Sequence, residues 1–352
     1  MKIAYLLVLK ETKYMSVLDK VLSQVESWNK FDVRAKLFLI AKVQITNPNV
    51  VVINEGSALS NALKLFKLLK CFNPDALYHR LWVFSPLLLP LITKYKLVAE
   101  INTDVFKEIE LEKKSSVKSF IVYLYNKLTE KYYYKSLHSA ISVTKELENY
   151  RGISNTYTVP NSIVVKDFPY RKLINREDKI NIFFIGTPGM SWHGIDVLMN
   201  IAQILCEKAT FHVVGFDKED VRNTPSNVIF YGFMHIDDYS EVAKRCSIGI
   251  GTLALHRKQM HEACPLKVRE YLAAGIPVVL PYIDTAFIEE APEWVLNLDI
   301  INSGNIDKAC QDILSFAVSY NHYVIPQVEV NKFIDSELLE RKRIDFILSL
   351  FK

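Results

Sequence analysis

The sequence contains few of the features that mark a disulfide-bonded or membrane-spanning chain. Its five cysteines are odd in number and include no Cys-x-x-Cys pair, which argues against a disulfide framework and a zinc site. A short apolar run, Ile3–Leu9, ends at charged residues, as in an opening β-strand and unlike a signal peptide. No apolar run reaches the roughly eighteen residues that span a bilayer. We therefore expect a cytoplasmic protein with reduced cysteines.

The motifs of several common enzyme classes are also missing. No Gly-x-Gly-x-x-Gly follows Leu9, where a nicotinamide-dependent enzyme would carry it, and no Gly-x-Ser-x-Gly elbow of a serine hydrolase occurs. His256, His261 and Cys264 lack the spacing of a paired metal-ligand motif. We expect no metal ion and no cofactor.

Length and composition predict two globular domains of opposite charge. The 352 residues are half apolar and 23% charged, which is enough for two hydrophobic cores. Residues 1–165 contain 23 Lys+Arg and 14 Asp+Glu, a net of +9, whereas residues 166–352 contain 20 and 25, a net of −5. The basic half indicates an anionic partner such as a membrane surface, unless the asymmetry is that of an ordinary solvated surface. Nucleic-acid binding is not expected, because no recognised module is present.

Two segments of the basic half mix lysines with apolar side chains. They are Ser57–Lys70, with three lysines, and Lys113–Lys135, with six lysines and several aromatic residues. A basic face edged with such residues suits an anionic membrane surface. The alternative is that each segment is a normal amphipathic helix packed on its own sheet.

Short apolar runs alternate with helical patterns along the whole chain, which predicts mostly parallel sheets with helices on both faces. We expect a helix through residues 144–150, a turn at Pro160-Asn161-Ser162 and a charged linker at Lys166–Lys179, after which the alternation starts again. A last helix is expected over Ile334–Phe351. The sequence thus predicts two doubly wound α/β domains, at 1–165 and 166–330, with a C-terminal helical segment at 331–352.

The most informative segment is Glu262-Ala-Cys-Pro-Leu-Lys-Val-Arg-Glu270, followed by Tyr-Leu-Ala-Ala-Gly275-Ile-Pro-Val-Val. Pro265 suits the first turn of a helix, and Gly275 suits its left-handed end. Unpaired N–H groups in the first turn favour an anion such as a diphosphate, and Lys267 adds a positive charge there. A carboxylate can accept two hydrogen bonds from a diol, so Glu262 and Glu270 are candidates to hold a sugar or a ribose.

This segment resembles the signature of glycosyltransferase family 4, whose members are retaining sugar transferases with the GT-B fold. The resemblance implies two Rossmann-like domains facing across a cleft, with the C-terminal helix crossing back to the first domain. It implies that Glu262 lies by the donor sugar as a catalytic residue and that Glu270 binds the nucleotide ribose. Pro265, Leu266 and Lys267 would hold the donor diphosphate, with no need for a metal.

Two further segments resemble parts of the donor domain in that family. The segment from Phe183 to Gly194 resembles its first strand and loop, and predicts Gly186 and Thr187 as donor-binding residues. Thr187 stands where an arginine is common, and His193 stands where a lysine is common, so His193 is predicted as a catalytic, phosphate-contacting residue. The segment Tyr231-Gly232-Phe233 resembles the loop that cups the base, although a plain strand-ending turn explains it almost as well.

The first domain is expected to bind the acceptor. Asn102 and Asp104 follow a buried strand, at the place where relatives often have a histidine and an aspartate facing the sugar. These two residues are therefore predicted to contact the acceptor or the sugar.

The resemblance implies transfer of a hexosyl group from a nucleotide diphosphate sugar to a hydroxyl acceptor, with retention of configuration. The expected acceptor is a lipid-linked or cell-surface glycan precursor, with peripheral contact at the inner face of the membrane as a further hypothesis. One alternative is a GT-B protein that binds sugar nucleotides or partners without turnover, which the differences at Thr187 and His193 keep open. Another is a sugar-nucleotide epimerase of the same fold.

Overall fold

A computed structural model describes residues 1–9, 15–54, 56–174, 179–298 and 305–351. The chain divides into an N-terminal unit, residues 1–162 with 336–352, and a C-terminal unit, residues 163–335. Of the predicted linker Lys166–Lys179, residues 175–178 lie outside the described residues. The described part is anchored on the C-terminal unit: Arg171 donates to the carbonyls of Ala273 and Ile325, at 2.8 and 2.6 Å.

The N-terminal unit is a seven-stranded parallel sheet with helices on both faces. Its strands follow the order β3-β2-β1-β4-β5-β6-β7. Its elements are β1 (Lys2–Val8), α1 (Met15–Trp28), β2 (Arg34–Ile40), β3 (Val50–Ile53), α2 (Ala58–Phe72), β4 (Ala76–Arg80), α3 (Leu89–Ile92), β5 (Lys96–Ile101), α4 (Val105–Glu112), α5 (Val117–Ser136), β6 (Ser139–Ser142), β7 (Thr156–Thr158) and the C-terminal α11 (Ser336–Ser349).

The C-terminal unit repeats this plan with six parallel strands. Their order is β10-β9-β8-β11-β13-β15, and a separate two-stranded sheet pairs β12 with β14. Its elements are β8 (Ile180–Ile185), α6 (Ile195–Ile204), β9 (Ala209–Val214), β10 (Val228–Phe230), α7 (Ile236–Ala243), β11 (Ile248–Ile250), β12 (Glu262–Ala263), α8 (Leu266–Ala273), β13 (Val278–Leu280), β14 (Ile283–Asp284), β15 (Val295–Asn297), α9 (Ile306–Ser319) and α10 (Gln327–Ile334). Both sheets have the Rossmann order, with the reversal beside the first strand of each.

Local sequence signals explain where several helices begin and end. Ser57 accepts the amide of Ser60 at the start of α2, and Asn73 ends that helix in the left-handed conformation. The predicted helix over residues 144–150 is absent. Two short 3-10 turns take its place, because Asn149 and Arg151 adopt positive φ values of 60° and 48° that interrupt a right-handed helix.

The helix predicted over Ile334–Phe351 is α11, with the narrower bounds Ser336–Ser349, and the shorter α10 before it was not predicted. Asp335, with an extended backbone, separates α10 from α11, so only α11 belongs to the N-terminal unit. It packs on α1 through a shared apolar core and a buried polar network. Within that network, the carboxylate of Glu340 accepts from Trp28 Nε1 at 2.8 Å and pairs with Arg343 at 2.9 Å. Burial makes this network specific for one helix position, since each buried charge needs its partner.

Candidate functional site

The candidate site lies at the carboxyl ends of the strands of the C-terminal unit, where the strand order reverses between β8 and β11. Gly186 and Thr187 follow β8 directly. The backbone after β9 approaches so closely that a Cβ on Gly215, whose φ is +93°, would lie 2.0 Å from the carbonyl oxygen of Gly186. Glycine is therefore required at 215. Its close approach to the carbonyl of Gly186 holds the turn after β8 in place.

The ammonium of Lys267 reaches this edge of the sheet. Its Nζ donates to the carbonyl oxygen of Ile185, the last residue of β8, at 2.7 Å. It also lies 4.3 Å from the centroid of the Phe184 ring. Burial lowers the Lys267 pKa to about 7, against an opposing effect of the Glu270 charge. A buried ammonium of this kind gains strongly from a nearby anion.

His193 meets the same turn from a second loop. Its Nδ1 accepts the backbone N–H of Thr187 at 2.9 Å. Burial lowers the His193 pKa well below its usual range, and the charges of Lys267 and Lys258 lower it further. The imidazole is therefore neutral with its proton on Nε2. His193 stands where a lysine is common in the family that the sequence resembles. The structure thus places a neutral hydrogen-bond donor there and not a positive charge.

Helix α8 supplies the backbone amides of the site. It begins at Leu266, one residue later than predicted, and Pro265 is its N-cap with an extended backbone. The proline side chain has no polar atom and makes no capping hydrogen bond, so the first-turn amides of α8 have no side-chain cap. Further along the helix, Oε2 of Glu270 accepts from the hydroxyl of Tyr239 at 2.7 Å. Tyr239 orients the carboxylate and was not predicted from the sequence.

A buried ion pair fixes the loop that carries Glu262. Arg269 on α8 is fully buried and pairs with both carboxylate oxygens of Asp284, one at 3.0 Å. The same guanidinium lies 2.6 Å from the sulfur of Cys264. Asp284 belongs to β14, which pairs with the short strand of Glu262. Arg269 thus anchors both strands and positions Glu262, and no sequence pattern pointed to this pair.

Phe233 lies on the loop after β10, which is an edge strand of the six-stranded sheet. The loop is at the carboxyl edge of that sheet, as the candidate site is. Its side chain is exposed and its ring packs edge-to-face on His235, with centroids 5.2 Å apart. Gly232 precedes it with a φ of +64°. The structure therefore presents a planar aromatic ring beside the sheet edge, away from the ammonium of Lys267.

The two residues predicted for the acceptor belong to the N-terminal unit, and both already have polar partners. Asn102 donates to the buried Glu100 at 2.8 Å and accepts from Lys20 at 3.2 Å. Asp104 caps α4 by accepting the amide of Lys107, at 3.0 Å. These contacts give both side chains structural roles in their own unit.

Among the residues of the described ranges, no group of three or more His, Cys, Asp or Glu side chains is arranged to hold a metal ion. Within those same ranges, no helix is both long and apolar enough to cross a bilayer.

One known family matches most of the C-terminal unit. Residues 179–305 match the family described as glycosyl transferases group 1. The matched segment includes the candidate site from Gly186 through Glu270. A search of curated protein sequences finds no match to the chain.

Solved structures with the same fold cover almost the whole chain. Sucrose-phosphate synthase from Thermosynechococcus elongatus is 12% identical with a TM-score of 0.69, covering 100% of this chain and 99% of its own. HepE from Anabaena, in complex with UDP and glucose, is 13% identical with a TM-score of 0.62, covering 99% and 100%. The lipopolysaccharide outer core galactosyltransferase WaaB is 12% identical with a TM-score of 0.59, covering 99% of each chain.

These comparisons confirm the predicted fold, a GT-B architecture of two Rossmann-like domains. The family match and the shared fold together support the prediction of a glycosyltransferase. Assignment to family 4, retention of configuration and the roles of individual residues stay predictions.

Proposed function

We propose that the protein is a retaining glycosyltransferase that moves a hexosyl group from a nucleotide diphosphate sugar to a hydroxyl acceptor in the cytoplasm. The observation that carries the proposal is the convergence of Lys267, the start of α8 and the Thr187–His193 pair at the carboxyl end of β8. A buried ammonium and helix amides at a Rossmann switch point suit a diphosphate. The group 1 family match over the same residues supports this choice.

Each polar group of the candidate site has a role in holding the donor. The diphosphate accepts from Lys267 and from the first-turn amides of Leu266 and Lys267, with Pro265 leaving that end unobstructed. Thr187 and the Nε2–H of His193 complete the phosphate contacts at the turn after Gly186. A neutral imidazole can donate this hydrogen bond without repelling the nearby ammonium.

The carboxylates hold the sugar rings of the donor. Glu270, oriented by Tyr239, accepts from the ribose hydroxyls, and Glu262 accepts from hydroxyls of the transferred sugar. Phe233 packs against the base. Neither carboxylate is placed on the diphosphate, because two like charges in contact would oppose binding.

In the reaction, the bond between the anomeric carbon and the diphosphate oxygen breaks, and the acceptor oxygen forms the new bond on the same face. The acceptor proton passes to the leaving phosphate, so no protein nucleophile is required. Lys267 and the helix amides stabilise the charge that develops on the leaving diphosphate. Retention is proposed on the family resemblance.

The acceptor is proposed to be a glycan or a lipid-linked glycan precursor bound by the N-terminal unit, with Asn102 and Asp104 at the carboxyl edge of its sheet. UDP sugars are the first donors to test, because HepE was solved with UDP and glucose, and with UDP-glucose.

The test is donor turnover followed by proton NMR with a panel of UDP hexoses, without an added acceptor. A retaining transferase that uses water as a slow acceptor releases UDP, and the free sugar first appears with the anomeric configuration of the donor. Glu262→Gln slows this release of UDP, whereas the exposed control Glu290→Gln does not. An epimerised donor with its diphosphate intact identifies the epimerase. Donor binding without any turnover, also with a glycan acceptor mixture, identifies the non-catalytic alternative.

A further inference from the structure

The two faces of the N-terminal sheet are covered differently. Neighbouring residues of β4 point to opposite sides. Tyr78 meets Trp28 of α1, with ring centroids 5.1 Å apart, whereas His79 meets Tyr133 of α5 at 6.1 Å. Helix α5 therefore lies on the face opposite to α1.

Helix α2 lies on the same face as α5. In β2, Phe38 packs on Phe72 at the end of α2, with centroids 5.6 Å apart, while the adjacent Leu37 and Leu39 point into the core beneath α1. The handedness of the connections agrees. Helix α2 connects β3 to β4 and α5 connects β5 to β6, and both connections run across the sheet towards β7. Because crossovers between parallel strands are right-handed, two connections in the same direction lie on the same face. The outer surface of these two helices is named here the α2/α5 face.

The α2/α5 face carries apolar rows where a solvated helix would carry polar residues. The exposed aliphatic side chains, with their exposed fractions, are Val117 (78%), Ile121 (59%), Leu124 (43%) and Leu128 (83%) on α5, and Leu59 (63%) and Leu63 (60%) on α2. The four on α5 recur at spacings of three and four residues and so form one continuous row. The inner side of α5 is formed by other residues, among them the buried Tyr133 and Tyr134, so the outer row is a second apolar stripe of the kind that marks an interaction surface.

The charge around these rows has one sign. Together α2 and α5 contain seven lysines, three on α2 and four on α5, and a single carboxylate, Glu130. Glu130 is half-buried and pairs with Arg151 at 3.4 Å. The exposed rows are therefore flanked by cations without compensating carboxylates on the same helices.

We propose that the α2/α5 face binds the surface of an anionic lipid membrane. Aliphatic rows enter the headgroup region while flanking lysines contact anionic lipids, the combination by which amphipathic helices bind membranes. A second copy of this chain is a poorer occupant, because a two-fold contact places the same lysine-rich surface on both sides. The proposal does not depend on the donor site.

The experiment is co-sedimentation of the full chain with vesicles of phosphatidylcholine alone or mixed with phosphatidylglycerol. We expect binding to the anionic vesicles only, weakened by salt. Leu124→Gln combined with Leu128→Gln should lower the vesicle partition coefficient about tenfold or more. The matched control, Val318→Gln with Val328→Gln, changes two exposed apolar residues of the C-terminal unit and should bind like the wild type.

A second pair of variants keeps the test valid if the leucine variant folds poorly. Lys127→Gln with Lys131→Gln alters only exposed side chains on α5 and should weaken binding to anionic vesicles, while Lys332→Gln with Lys342→Gln should not. The proposal is overturned if the wild type ignores anionic vesicles, or if both α5 variants bind as the wild type does. It is equally overturned if the wild type is a dimer that the leucine variant converts to a monomer, which assigns the face to a second copy.

Discussion

Donor binding should weaken as the pH rises through 7, because the ammonium of Lys267 loses its proton in this range. Burial holds the pKa of Lys267 at about 7 in the free protein. The diphosphate binds the charged form, so the pKa of the same group in the complex is higher. At any pH where Lys267 is neutral in the free protein and charged in the complex, binding of the donor takes up a proton.

The magnitude follows from the two pKa values. With a free-site pKa of about 7 and a bound-state pKa several units higher, the affinity at about pH 6 exceeds that at about pH 8 roughly tenfold, or about 1.4 kcal/mol. Below about pH 6 the lysine is charged in both states, so its contribution to the pH dependence disappears.

Calorimetric titration with UDP-glucose measures this effect. The sugar nucleotide is preferable to UDP because both of its phosphates are esterified and have no ionisation near neutral pH. Lys267→Arg keeps the charge at all pH values, so its residual pH dependence reports every other group, including His193. Lys172→Met is the matched control: burial also lowers the Lys172 pKa to about 7, but its Nζ bonds the carbonyls of Ser247 and Tyr320, before β11 and after α9. An affinity that stays constant or rises with pH, or an equal dependence in Lys267→Arg, refutes the reasoning.

Three further predictions concern stability. Arg269→Met leaves a buried carboxylate without its partner and should lower the free energy of unfolding in urea by about 3–5 kcal/mol. A variant as stable as the wild type would contradict the anchoring role. Gly215→Ala should lower the melting temperature and donor affinity, because its Cβ meets a carbonyl oxygen, whereas Gly189→Ala, also at positive φ but in open space, should be tolerated far better. The unfolding free energy should rise from about pH 7 towards pH 10, because the unfolded Lys172 and Lys267 bind protons that the folded ones have lost, each contributing up to about 1.4 kcal/mol per pH unit; Lys172→Met should remove its own share of this slope and leave the share of Lys267.

Much of the fold follows from the sequence because parallel strands buried on both faces are short apolar runs, and helices between them are marked by caps. The prediction of two such series is confirmed. The errors arose where single residues change the backbone direction. Asn149 and Arg151 at positive φ broke the expected helix after β6, and Asp335, with an extended backbone, moved the start of the last helix to Ser336, two residues later than predicted.

The candidate site was partly predictable for a related reason. The start of α8 and the charge of Lys267 could be inferred from one segment, because helix ends have local signals. The contact from Lys267 to Ile185, the hydroxyl of Tyr239 on Glu270 and the Arg269–Asp284 pair join residues distant in sequence or dependent on loop conformation. No local pattern encodes them. The neutral state of His193 likewise depends on burial and neighbouring charges, which only the folded chain defines.

The central claim is that the C-terminal unit binds a nucleoside diphosphate sugar through Glu270 and Lys267, and calorimetric titration with UDP, GDP, CDP and NAD tests it most directly. We expect one nucleoside diphosphate to bind to the wild type and to the exposed control Glu290→Gln, and to bind much more weakly to Glu270→Gln, because a neutral amide accepts ribose hydrogen bonds less strongly. Binding of NAD alone, or equal binding by Glu270→Gln, would contradict the assignment of α8 to the donor.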